Sequence, residues 1–312
     1  MKFAIFGTGG VGGYFGGRLA QAGQDVTFIA RGAHLASITE SGLRVDSIGG
    51  DFVVENARAT DSPQSVGEVD VVIVATKAWQ LPEAIEQLKF LVGEQTTILP
   101  LLNGIEHIDL LVKSFGERVL GGLCWISSFV AGPGHITHVR GKPFVSFGEL
   151  NRVKSERVMN LHDIFSALEG VDVDVPEDIH VTMWEKFIFI CSTSGVGAVT
   201  RQSFGIFRSI PETREMLKSA IMETVNVGCA YGVALAKDVV DTLMVRIDAL
   251  PEGLVASMQK DIMEGRPSEL DAQTGAVIRM GRALGVLTPT HEFIYASLLP
   301  MEKKARGNFK NP

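Results

Sequence analysis

The feature that most restricts this chain is Gly7-Thr8-Gly9-Gly10-Val11-Gly12, set directly after the apolar run Lys2–Phe6 and opening a helix-patterned segment from Val11 to Ala22. A GxGxxG spacing between a strand and a helix marks a strand–helix–strand unit of a parallel sheet. Gly7 permits the tight turn, Gly9 lets main chain approach a pyrophosphate, and Gly12 allows the helix to pack closely on the sheet. The helix start, through Thr8, Gly10 and Val11, offers N–H groups that lack intrahelical partners, together with the positive end of the helix dipole. Residues 7–12 are therefore expected to cradle the phosphates of a dinucleotide. Gly13, Gly16 and Gly17 continue one small helix face, which packing explains better than chemistry.

The pattern beyond the loop repeats the same unit. Asp25–Ala30 is a second strand, and Gly23 stops the intervening helix. Leu43–Asp46 and Asp51–Glu55 predict a hairpin through Gly49-Gly50. Val69–Ala75 is nearly all valine, isoleucine and alanine, as in a central strand covered on both faces. A helix near Pro82–Leu91 and a strand at Thr96–Leu102 follow. Val119–Val130 and His135–Glu149 are expected to form an antiparallel pair extending that sheet, before a helix near Val153–Leu168 and a last strand, Val171–Val175. After about Ile179 the period becomes 3.6, over 180–199, 211–231, 235–248, 252–264, 268–284 and 290–304. The expected fold is α/β: a doubly wound dinucleotide-binding sheet over 1–177, then an all-helical domain over 178–312.

Composition narrows the classes of function. A chain of 312 residues has room for two cores, and 46% hydrophobic with 21% charged residues is ordinary globular usage. A net charge of −7, with 29 Lys and Arg dispersed along the chain, argues against nucleic acid as partner. Cys124, Cys191 and Cys229 lie far apart, which argues against a disulfide framework or a zinc site, and no metal is expected. The charge-free stretch Phe3–Gly17 imitates a signal peptide, but seven of its fifteen residues are glycine, too many for a helical core. With no spanning segment in the pattern either, the expected location is the cytoplasm, with no membrane partner. Apolar helix faces in the second half can pack within the chain or across a homodimer interface.

Other candidate site residues stand where strands end, the place where open α/β sheets bind ligands. Arg31 occupies the end of the second strand, where an NAD site places an acid for the ribose 2′-hydroxyl. A guanidinium there suits a 2′-phosphate, so NADP(H) is the expected cofactor, against a bland reading as a solvated strand-end arginine. Lys77 follows the valine-rich strand, and Asn103-Gly104 follows Leu99–Leu102; each alone is a loop signal. In the helical half, Lys186, Ile190 and Ser194 share one face at i, i+4 and i+8. A lysine before so apolar a run reads by pattern as a snorkelling side chain. Its functional reading is a cation beside an apolar wall, a better proton donor because desolvation lowers its pKa. Ser257 and Asp261 lie one turn apart, and Ser268-Glu269-Leu270-Asp271 reads as a helix start with Ser268 as N-cap and Asp271 at N3. No histidine is assigned to catalysis.

Taken in order, the glycine loop, Arg31, Lys77-Ala-Trp-Gln80, Asn103-Gly104, Trp184-x-Lys186 and Ser257-Met-x-x-Asp261 through Glu269-Leu-Asp271 resemble the ketopantoate reductase (2-dehydropantoate 2-reductase) family over essentially the full length. The resemblance implies a helical C-terminal domain like that of 6-phosphogluconate dehydrogenase, with the active site in the cleft between the domains. It implies NADPH-dependent reduction of a 2-oxo acid to a 2-hydroxy acid, in the family's named case ketopantoate to pantoate for pantothenate biosynthesis. By the same resemblance Lys186 is the general acid, Glu269 binds the hydroxyl side of the substrate, and Ser257 and Ser194 are substrate contacts. Asn103 and Lys77 organise the nicotinamide, ribose and catalytic lysine. The chain departs from the family at Ile190 and Ser194, where members commonly carry asparagine. Loss of those amides leaves open a related 2-oxo acid or opine-type dehydrogenase with a more apolar substrate, or a catalytically silent NADP-binding sensor.

Overall fold

A computed structural model describes residues 1–307; the last five residues of the expected helical domain, 308–312, lie outside the described ones. The strands are β1 (Lys2–Phe6), β2 (Asp25–Ile29), β3 (Leu43–Ser47), β4 (Phe52–Val54), β5 (Arg58–Thr60), β6 (Val71–Val74), β7 (Thr97–Pro100), β8 (Gly121–Gly132), β9 (His135–Gly148) and β10 (Asp172–Asp174). Among them run α1 (Gly10–Gln21), α2 (Gly32–Ser41), α3 (Leu81–Leu88), α4 (His107–Phe115) and α5 (Glu156–Ser166). The molecule divides into two compact units. One comprises Met1–Leu102 with His107–Ile179, the other Asn103–Glu106 with the chain from His180 onward.

The first unit holds two sheets. A parallel sheet runs in the order β5-β2-β1-β6-β7, with Phe6 in register with both Ile29 and Val74, so three neighbouring strands end level. All four residues of β6 are buried, as the continuous apolar run requires of a strand covered on both faces. The second sheet runs β10-β9-β3-β4, with β8 antiparallel to β9. The β8–β9 pair therefore exists, but it does not extend the first sheet as expected. Val119 makes one parallel bridge to Ile98, and from Gly121 the chain turns into the second sheet.

Helix α1 supplies the physical reason, because its glycines open two faces rather than one. A Cβ on Gly16 would stand 2.7 Å from Ile5 and Phe28 of the first sheet. On Gly13 it would stand 2.7 Å from Ile136, and on Gly17 2.8 Å from Phe52, both of the second sheet. A slim helix with small residues on two adjacent faces can pack against two sheets at once, and Ile136, Val145 and Phe147 are fully buried as a result. Helices α2 and α4 and strand β5 are found in addition to the elements expected from the pattern.

The second unit is built from α6 (Ile179–Thr200), α7 (Phe204–Ser209), α8 (Pro211–Ala230), α9 (Val239–Asp248), α10 (Ser257–Met263), α11 (Ala276–Leu284) and α12 (Pro289–Ala305). Helix α6 is apolar almost all round, the signature of a central helix. Gly195 and Gly197 bring it against its neighbours: added Cβ atoms there would stand 3.2 Å from Ile294 of α12 and 2.4 Å from Gln259 of α10. The expected helix over 268–284 instead opens with a π-turn at Asp271–Gly275, closed by Gly275 N–H donating to the Leu270 carbonyl at 3.0 Å. Among the described residues no helix is long and apolar enough to cross a membrane.

Candidate active site

In the first unit the glycine loop is shaped by its neighbours. Gly7 sits at φ +100°, a left-handed conformation that glycine adopts freely, and a Cβ there would stand 2.9 Å from the Ala75 and Thr76 main chain. A Cβ on Gly12 would lie 2.1 Å from the Gly7 carbonyl oxygen. Around Gly9, by contrast, no atom lies within 4 Å of such a Cβ, so this main chain is open to a ligand. Helix α1 begins at Gly10 without a side-chain cap, leaving its first N–H groups and its dipole facing the same opening. These features fit the pyrophosphate of a dinucleotide.

Thr8, buried, donates its hydroxyl to the Ile29 carbonyl at 3.0 Å and ties the loop to β2. His34 contributes a support that sequence reasoning missed. Its Nδ1 accepts from Gly134 N–H at 2.9 Å, which leaves Nε2–H to donate to the Thr8 carbonyl at 2.8 Å. No spacing rule in the sequence singles it out.

Arg31 is the N-cap residue of α2, two positions beyond the buried end of β2. Its guanidinium is 64% exposed and pairs with Glu83 at 3.3 Å, so it is available to an anion at the loop. Lys77 lies three residues past β6, exposed, with its Nζ 5.7 Å from the centre of the Trp79 ring. Since β1, β2 and β6 end level, the glycine loop, Arg31 and Lys77 all follow the same edge of one sheet.

In the second unit Lys186 and Ser194 sit two turns apart on α6, both buried, with half-buried Ile190 between them. Glu269, also buried, accepts a hydrogen bond from Asn103 Nδ2 at 3.0 Å across a separation of 166 residues. Gly104 makes that approach possible: it lies at φ +100°, and a Cβ would stand 2.9 Å from the Ala272 carbonyl oxygen. The Asn-Gly pair thus serves as a docking point and not merely as a turn. The turn after Glu269 also packs on α6, for Thr274 Oγ1 lies 3.7 Å from where a Gly195 Cβ would be. Ser257 opens α10 and is exposed.

The segment carrying Glu269 is anchored more firmly than a helix start alone would be. Ser268 Oγ accepts from Leu270 N–H at 3.2 Å, but it also donates to the buried Glu302 carboxylate at 2.5 Å. Glu302 further accepts from Ser268 N–H, and Arg306 donates both to Glu302 and to the Ser268 carbonyl. Asp261 is occupied structurally, accepting two bonds from Arg266 at 3.1 and 2.8 Å. Asp271 opens the π-turn that leads into α11, and its carboxylate accepts from Arg279 at 2.9 Å and from the Tyr295 hydroxyl at 3.0 Å. The Glu106 carboxylate beside Arg279 holds that guanidinium above its ordinary pKa, and burial with Asp271 nearby raises the Tyr295 hydroxyl. Among the described residues no group of His, Cys, Asp and Glu is arranged to hold a metal ion.

The family model described as ketopantoate reductase PanE/ApbA matches residues 3–152, and the model of its C-terminal part matches residues 178–302. The chain is 32% identical over 299 residues to the uncharacterized oxidoreductase YkpB of Bacillus subtilis, covering 96% of this chain and 98% of that one. It is 31% identical over 324 residues to a 2-dehydropantoate 2-reductase of Mesorhizobium japonicum, covering 95% and 96%. Among solved structures, a D-mandelate dehydrogenase in ternary complex with NADH and anilino(oxo)acetate superposes with a TM-score of 0.88 at 26% identity, covering 98% and 99%. With its parallel dinucleotide-binding sheet, its helical C-terminal unit and both family models matched, this chain belongs to the ketopantoate reductase family of NAD(P)-dependent oxidoreductases.

Proposed function

We propose that this protein reduces a 2-oxo acid to the 2-hydroxy acid with NADPH, ketopantoate being the first substrate to test. Residues 1–177 serve as the cofactor domain and residues 178–312 as the helical domain. The observation that carries the reading is the bond from Asn103 to Glu269, because it joins two motifs that the sequence keeps far apart. Arg31 at the end of β2, where an NAD enzyme would keep an acid, supports NADPH over NADH.

When bound, the nicotinamide supplies the hydride. The chain's own work is to bind, orient and protonate. The α1 N-terminus and the open main chain at Gly9 hold the pyrophosphate, Arg31 meets the 2′-phosphate, and Lys77 and Asn103 orient the ribose and nicotinamide. As negative charge grows on the carbonyl oxygen of the substrate, the Lys186 ammonium stabilises it and gives up the proton that completes the alcohol. Glu269, fixed by Asn103, accepts a hydrogen bond from the hydroxyl side of the substrate, and Ser257 and Ser194 complete its contacts.

Ile190 favours a second reading of the substrate. It puts a branched hydrocarbon one turn from Lys186, where an amide would offer a hydrogen bond, so a 2-oxo acid with an apolar side chain fits that wall better. The related D-mandelate dehydrogenase carries an aromatic oxo acid in its structure.

Oxidation of NADPH and of NADH should be followed with ketopantoate, 2-oxoisovalerate and phenylglyoxylate. Turnover of ketopantoate supports the first reading, and preference for the other two supports the second. No turnover of any of them identifies a cofactor-binding protein without this activity. Lys186→Ala is expected to lower kcat by at least about a hundredfold with NADPH affinity unchanged. Equal loss of both would remove Lys186 from the general-acid role.

A further inference from the structure

We infer that Arg279 is a positioning residue that fixes the Asn103–Glu269 pair, an inference that rests on the reading of Glu269 as a substrate contact. Each partner of that pair belongs to a short, irregular segment. Asn103 begins the four residues Asn103–Glu106, and Glu269 precedes the π-turn. The first segment has no regular secondary structure of its own, and the second is anchored at its start, where Ser268 bonds Glu302 and Arg306. Arg279 of α11 grips both. Its Nε and Nη2 donate to the two carboxylate oxygens of Glu106 at 3.1 and 2.6 Å. Its Nη1 donates to the Asp271 carboxylate at 2.9 Å and its Nη2 to the Asp271 carbonyl at 2.9 Å.

The spacing gives this fork its consequence. Glu106 is three residues beyond Asn103, and Asp271 is two residues beyond Glu269. One planar cation therefore spans the two segments next to their point of contact. A bidentate carboxylate pair with a third and fourth acceptor sets an angle as well as a distance, which a lysine ammonium does not reproduce. Tyr295 of α12 donates its hydroxyl to the same Asp271 oxygen, Oδ1, at 3.0 Å. The far end of the brace is thus fixed to the helical core.

Without the brace, Asn103 can leave Glu269, and the carboxylate loses the donor that selects its orientation. Substrate binding through Glu269 would suffer most, since the pyrophosphate and 2′-phosphate contacts at the glycine loop and Arg31 involve none of these groups. Misplacement of a positioning group by about 1 Å costs up to about a hundredfold, so a partial loosening is expected to raise the KM for the 2-oxo acid about tenfold.

The test uses the full chain with Arg279→Met, Arg279→Lys and Glu106→Gln. The primary readout is the Asn103 side-chain amide pair in nitrogen-15 NMR spectra, assigned by its loss in Asn103→Ala and compared with its position in Glu269→Gln. In Arg279→Met this pair is expected to move toward its position in Glu269→Gln, with Arg279→Lys intermediate. The KM for the turned-over acid should rise by a larger factor than NADPH affinity falls. An Asn103 amide pair unmoved in folded Arg279→Met overturns the inference, whatever the activity. Should Arg279→Met not fold, Glu106→Gln decides by the same resonance. Absence of turnover in the wild type would defeat the proposed reaction, while the NMR comparison would still decide the brace.

Discussion

The cofactor preference can be tested through Arg31 and its neighbour Glu83. In the structure the guanidinium pairs with Glu83 at 3.3 Å, both side chains being well exposed at 64% and 73%. An exposed pair of this kind is worth about 0.2–1 kcal/mol. A charge-assisted bond to a phosphate contributes about 1.5–3 kcal/mol. Binding a 2′-phosphate must loosen the first to gain the second, leaving a net contribution of about 1–2 kcal/mol. Arg31→Ala is therefore expected to weaken NADPH binding about 5- to 30-fold and NADH binding by less than about twofold. Glu83→Gln removes the internal competitor and should tighten NADPH up to about fivefold, again with little effect on NADH. Fluorescence titration of both cofactors at fixed ionic strength measures this, and the selectivity should shrink as salt is raised. Equal losses for the two cofactors in Arg31→Ala, or none, would refute the assignment of Arg31 to the 2′-phosphate.

Two further expectations follow from the packing. Gly12→Ala places a methyl 2.1 Å from the Gly7 carbonyl oxygen and 2.9 Å from Ile5, so the loop must distort. Titration should show at least about tenfold weaker binding of either cofactor, and thermal melting a loss of about 1–3 kcal/mol; wild-type affinity would mean that the loop does not hold the cofactor. Glu223 concerns acid stability. Burial pushes its carboxyl up, but bonds from His291 and from the Thr290 and His291 N–H groups outweigh this and hold it below the usual range. A depressed carboxylate stabilises the fold fully above its unfolded pKa of about 4.3 and loses that contribution as pH falls through the lower folded value. Urea unfolding from neutral pH downward should show this decline in the wild type and a flatter curve in Glu223→Gln; matching acid limbs would show that this carboxylate does not contribute to it.

Much of the fold was legible because its signals are local. The valine run of β6 must be covered on both faces, and the glycine loop must turn and then start a helix. The second sheet was not legible, because a strand's own sequence does not say which sheet its edge will join. That choice depended on the glycine rows of α1, which read as one face along the chain and act as two when both sheets are present. The π-turn after Leu270 likewise escaped a reading by 3.6-residue period, since one extra residue in a turn leaves the apolar pattern nearly intact.

The candidate site divides in the same way. Residue type and spacing single out Gly7, Gly9, Gly12 and Arg31, because phosphate binding and charge complementarity demand particular atoms in a particular order along the chain, whereas Lys77, Asn103, Lys186 and Glu269 took their expected roles from the resemblance to a family. The supports of those residues came from elsewhere. His34 beneath Thr8, Glu302 behind Ser268 and Arg279 between Glu106 and Asp271 are ordinary polar residues in sequence, and distant segments give them their roles. Chemistry is written in side chains and can be read one motif at a time. Its orientation is a property of contacts between segments as far apart as Asn103 and Glu269, and those contacts come into being when the chain has closed upon itself.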